Sequence, residues 1–233
     1  MSAPGINPLL TSLQGWQLQI SGAMNSAIHH PSWYRLVDLI TDEQREDAIK
    51  ARPTTGPILS SFLLGDGEIQ CQPTTWSISS VNIEDMTGPV KLASSVFDEK
   101  LPHTPVHSYS FMFFFHSPAP GGGDLRTRLA KAMTKAGIGL TPPHGAVTQF
   151  SYSFEEGDRH DAILVEPSQR NAQGIFLRYQ ATHFIQPTTD ATGRPVFEQF
   201  SIRSRLHEHA ALDREAARTH LNRIINGIRR IEE

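Results

Sequence analysis

The chain has 233 residues, 38% of them hydrophobic and 19% charged, with a formal net charge of −3 and a single cysteine, Cys71. No run approaches the roughly 18 apolar residues that span a bilayer, one cysteine cannot close an internal disulfide, and no collagen or heptad period is present. Transmembrane-helix, disulfide-framework and fibrous classes are therefore excluded, and with no basic-then-apolar leader over residues 1–13 the expectation is a cytoplasmic α+β protein.

Charge is uneven. Residues 1–116 hold 6 Lys+Arg against 11 Asp+Glu, while residues 117–233 hold 15 against 13. Arginine outnumbers lysine 16 to 5. That bias fits bidentate contacts to anions, and it fits the base composition of a source genome equally well.

In chain order, the alternation Trp16, Leu18, Ile20 predicts a strand with one buried face. Trp33, Leu36, Val37 and Ile40 follow at helical spacing behind Ser32 as the expected cap, and Thr41 with Gln44 forms a capping-box pattern for a second helix to Ala51. Ile58–Leu64 and Ile69–Val81 are two β-rich runs divided by Gly65-Asp66-Gly67, a hairpin signal. A helix with Leu92, Ala93, Val96 and Phe97 stops before Pro102. Val106–His116 is then the most apolar strand, with Tyr109, Phe111, Phe113 and Phe115 on one face and Met112 and Phe114 on the other. Such a strand needs cover on both sides. The resulting order, βαββαβ, predicts a ferredoxin-like first half over residues 1–117.

Residues 118–123 (PAPGGG) are the expected linker, and residues 124–233 the second half. A helix over 124–136 precedes four β-type runs, Val147–Phe154, Ala162–Val165, Gly174–Gln186 and Val196–His207, which predict an antiparallel meander. A closing helix from Asp213 carries Ala217, Leu221, Ile224, Ile225 and Ile228, with Arg229 and Arg230 at its end.

The run Gly67-Glu68-Ile69-Gln70-Cys71-Gln72-Pro73-Thr74-Thr75-Trp76-Ser77-Ile78 carries a resemblance. So do Leu101-Pro102-His103-Thr104-Pro105-Val106 ahead of an aromatic strand, and His220 in the last helix. In these patches the chain resembles a group of uncharacterised bacterial proteins of similar length. The resemblance implies a bacterial origin and no particular chemistry.

Nucleophile-elbow, zincin-helix, phosphate-loop and dinucleotide motifs are all missing, so no cofactor is called for. Gly121-Gly122-Gly123 lacks the lysine and hydroxyl of a phosphate loop, and Asp124 would repel the anion. His207-Glu208-His209 would place two imidazoles on one face of a strand, with His103, His107 and His183 as third-ligand options; an exposed strand end explains them as well. Adjacent His29-His30 would point to opposite faces. Cys71 alternates with Ile69 and should face the core, without a base to activate it.

On the late strands, Phe176, Arg178, Phe184, Arg203 and Arg205 would share one basic, aromatic sheet face. Such a face suits a protein partner or stacked bases and phosphates. With apolar surface on two strand faces and no catalytic motif, the leading expectation is a non-enzymatic protein that assembles with itself or a protein partner. A nucleic-acid-binding module using the Arg/Phe face is the second reading, and an enzyme with a His-centred site the third.

Overall fold

A computed structural model describes residues 14–118, 149–170, 174–185, 188–189, 192, 195–196 and 203–232. The expected linker beyond residue 118 and the expected helix over 124–136 lie outside those residues. Strand β1 (Gln14–Gly22) leads through a short 3-10 turn to helices α1 (Pro31–Leu36) and α2 (Asp42–Lys50). Three strands follow, β2 (Ser60–Leu64), β3 (Gly67–Gln72) and β4 (Thr75–Ser80), then α3 (Thr87–Ser94), which winds on as a π-helical turn to Lys100. Next come β5 (Val106–Pro118), β6 (Phe150–Glu156), β7 (Arg159–Pro167) and β8 (Gly174–Phe184), a two-residue pair β9 (Thr188–Thr189) and β10 (Pro195–Val196), and a 30-residue helix α4 (Arg203–Glu232).

Strands β1 to β8 form one mixed-connectivity sheet in the order β2-β3-β4-β1-β5-β8-β7-β6, every pairing antiparallel. This corrects the ferredoxin-like expectation for the first half, which runs βααβββαβ. The run Ile69–Val81 is two strands, because Pro73 cannot continue a ladder and instead starts the two-residue turn Pro73-Thr74 between Gln72 and Thr75. It also corrects the expectation of a separate second sheet: β8 pairs with β5 along its length, so both halves share a single sheet.

Local signals explain the elements. Trp16, Leu18 and Ile20 are fully buried, and Gln17 and Gln19 face the other way. Thr41 and Gln44 make both hydrogen bonds of the capping box. For α1 the cap is His30, whose Nδ1 accepts from the Ser32 amide at 3.1 Å with Pro31 at the first helical position, rather than Ser32 itself. Gly65 takes φ +60° in the β2–β3 turn. A Cβ on Gly67 would sit 2.3 Å from the Ser79 carbonyl oxygen, so the hairpin needs glycine there.

All described helices pack on one face of the sheet. Tyr34 of α1 meets Phe62 at 5.2 Å, Phe97 after α3 meets Trp76 at 5.5 Å, and Leu206 of α4 joins the same core as Phe111 and Phe113. The expected strand Val196–His207 is corrected as well: only Pro195–Val196 is strand, and α4 begins at Arg203, ten residues before the expected start. Its buried positions Leu206, Ala210, Asp213 and Ala217 follow helical spacing, so Asp213 is a core position of the helix and not its cap. None of the described helices is long and apolar enough to cross a membrane.

Candidate functional site

The five residues expected to form one face do not converge. Phe176, Arg178 and Phe184 alternate on one face of β8, but Phe176 and Phe184 are eight residues, about 27 Å, apart along the strand. Arg203 and Arg205 open α4, which packs on the opposite side of the sheet; Arg205 is exposed there, and the Arg203 side chain lies outside the described residues. Without the expected strand, no register brings these arginines beside Arg178.

What lies on the face away from the helices is a polar platform. The pairing register sets Gln70, Ser77, Gln19, Ser110 and Thr182 in one row across β3, β4, β1, β5 and β8, with Ser110 and Thr182 hydroxyls 2.9 Å apart. At the β5–β8 end the row of hydroxyls and amides gives way to rings. Phe114 stacks on Phe176 at 6.3 Å, and His116 lies 4.8 Å from Phe176 with Nδ1 2.9 Å from Ser168 Oγ. Burial, with Arg170 adding to it, holds the His116 imidazole below its ordinary value. Among the described strand residues of this face, Arg178 is the one lysine or arginine, against Glu68, Glu155 and Glu166. A single guanidinium among three carboxylates leaves counterion release from a phosphate backbone little to act on.

The helix-covered face holds a second constellation. Arg159 on β7 grips Asp161 bidentately, Nε to Oδ1 at 2.7 Å and Nη2 to Oδ2 at 3.0 Å, and its Nη2 also donates to the Tyr179 hydroxyl at 2.6 Å. Tyr179 passes its own hydrogen to Asp161 Oδ2 at 2.8 Å. Asp213 of α4 sits fully buried between Arg159 Nη2, 3.2 Å from Oδ1, and His183 Nε2, which donates to Oδ2 at 2.8 Å. His183 then stacks on His209 at 4.0 Å, and His209 Nδ1 lies 2.8 Å from the Tyr109 hydroxyl. Burial pushes both tyrosine hydroxyls well above their ordinary value. Burial and then the neighbouring His183 hold the His209 imidazole below its own.

Sequence reasoning missed this cluster. Its signal was an acid on an apolar stripe at helical spacing, Asp213 among Leu206, Ala210 and Ala217, opposite the strand pair Arg159 and Asp161. The expected His207/His209 pair is corrected: both lie on a helix, where residues two apart do not share a face. His209 turns to Tyr109, while His207 lines a shallow cleft with Glu84, Thr87 and Arg214. Among the described residues no three or more His, Cys, Asp or Glu side chains are placed to hold a metal ion.

The remaining singled-out residues serve the core. Tyr34 receives the Trp76 Nε1 hydrogen at 2.8 Å and turns its own toward His29 Nδ1, 2.8 Å away. Burial lowers the His29 imidazole to about 4. Cys71 is buried, and burial pushes its thiol up to about 12, so it is no thiolate nucleophile near neutral pH. Compared with known protein families and with curated proteins, the chain matches none.

Proposed function

We propose that this chain is a non-enzymatic binding protein that assembles with a second copy of itself through the sheet face its described helices leave uncovered. The observation that carries this reading is one-sidedness: an eight-stranded sheet has every described helix on one face, while the other ends in the Phe114–Phe176 stack beside Arg178. Stacked aromatics beside a guanidinium are the residue types that anchor protein interfaces. Gln17 and Gln180, beside the stack in the pairing register, offer hydrogen bonds to the partner copy.

The test is sedimentation equilibrium at micromolar concentration on wild type and Phe176→Asp. A two-fold interface puts the same position on both sides, so the aspartate sets like charges near each other and shifts dimer to monomer. A strictly monomeric wild type overturns self-assembly. A dimer indifferent to Phe176→Asp removes the sheet face as its interface.

The reading as an enzyme with a His-centred site draws support from the Asp213–His183–His209 cluster. Against it stands accessibility: Asp213 and His183 are 0% and 6% exposed, beneath a helix, where a substrate cannot reach them. The cluster has the character of a fastening.

A further inference from the structure

The C-terminal helix is seated by mixed contacts. Its fully buried side chains are Leu206, Ala210, Asp213 and Ala217, and Ala216, Leu221 and Ile224 pack half-buried against the same core. Over its first half Leu206 is the one large apolar side chain buried, so there the polar contacts weigh heavily in where, and under what conditions, the helix sits.

Two imidazoles dominate those contacts. His183 from β8 and His209 from α4 lie ring on ring at 4.0 Å, with the Tyr109 ring against both, 5.1 Å from His183 and 5.9 Å from His209. The charged and titratable groups facing the pair are Tyr109 on β5, Arg159 and Asp161 on β7, Asp158 in the β6–β7 turn, Tyr179 on β8, and Arg205, Glu208 and Asp213 on α4 itself. Arg214 and Arg218 occupy the other flank of α4, against Ile83 and Glu84. The innermost charges are two carboxylates, Asp161 and Asp213, and one guanidinium, Arg159. A proton added to His209 brings its charge within a ring's thickness of His183 in a half-buried site.

We propose that the stacked His183–His209 pair makes the seating of the C-terminal helix acid-sensitive, protonation of His209 against the His183 ring loosening the first half of α4. The depressed affinity of buried His209 for a proton works in the same direction. As pH falls below the ordinary imidazole value, a helix lifted from the sheet takes up a proton that the seated helix refuses, so seating weakens with acid.

Amide hydrogen exchange of the full chain, read by peptide mass and corrected for intrinsic rates, tests this at about pH 7.5 and about pH 5. Protection over residues 203–217 should fall by about tenfold or more in acid while β1 and β4 keep theirs. His209→Gln and His209→Phe, the latter keeping a stacked ring without charge, should abolish the fall, and His207→Gln at an exposed position of the same helix should leave it. Protection unchanged by acid overturns the proposal, as does a fall that survives both His209 variants or disappears with His207→Gln.

Discussion

The two ends of the covered sheet face are held by opposite means. Around α1 and α3 the sheet is closed by rings: Trp16, Trp76, Tyr34, Phe62 and Phe97 are buried, Trp76 donates to Tyr34, and Trp16 donates to the Asn82 carbonyl. Under α4 the contact centres on Asp213, Arg159 and Asp161, with His183 and His209. Apolar burial is strong and does not itself titrate. Buried ion pairs return little net stability, are costly to break singly, and answer to pH. One sheet thus carries a permanent end and a conditional one.

The sharpest break of that comparison is in the apolar core. Phe111→Ala should cost about 3–5 kcal/mol in chemical denaturation, since Phe111 is fully buried on the central strand. A loss below about 1 kcal/mol would mean the ring is not part of the shared core. Asp213→Ala should cost about 3 kcal/mol, because it leaves buried His183 without its acceptor and removes one of the two carboxylates around Arg159. Replacing Arg159, Asp161 and Asp213 together by apolar residues should cost less than Asp213→Ala alone; a larger cost would show the ionic end to be strong in its own right.

Acid also reaches the apolar end, through His29 beside Tyr34. Folded His29 binds its proton near 4 and the unfolded chain near 6.5, so below about pH 6.5 the unfolded state takes up protons the folded state refuses. Stability should therefore fall as pH drops from about 6.5 to about 4, by about 3 kcal/mol at full extent. His29→Gln, which cannot titrate, should flatten that part of a denaturation-versus-pH curve, and an unchanged slope would assign the loss elsewhere. The smallest expected effect is Tyr34→Phe, about 2 kcal/mol from leaving Trp76 Nε1 and His29 Nδ1 unpaired, measured by the same denaturation.

Much of the rigid end was legible in the sequence. Period-two alternation placed Trp16, Leu18 and Ile20, the Thr41–Gln44 pair placed a helix start, and the Gly65 turn placed a hairpin, because each signal is local. The conditional end was illegible for the reason that makes it conditional. A carboxylate at a core position reads as a helix cap, and the compensating Arg159 and His183 lie far away in sequence. With Asp213 taken as a boundary, residues 201–207 retained only their chance alternation, and Arg203 and Arg205 were assigned to a strand. The Pro73 break was visible in principle, since proline rarely continues an inner strand.

The long central strand has a consequence for synthesis. β5 pairs first with β1, from the same half of the chain, and afterwards with β8, which leaves the ribosome some sixty residues later. In the interval β5 stands at the rim of a five-stranded sheet, showing an unpaired ladder with Phe111, Phe113, Phe114 and Phe115 along it. An aromatic, uncharged rim of that length is a template for a neighbouring nascent chain. Arrival of β8 is thus the step that moves β5 from the rim to the interior of the sheet, and slow translation between β5 and β8 should raise the yield of aggregate at the expense of folded protein.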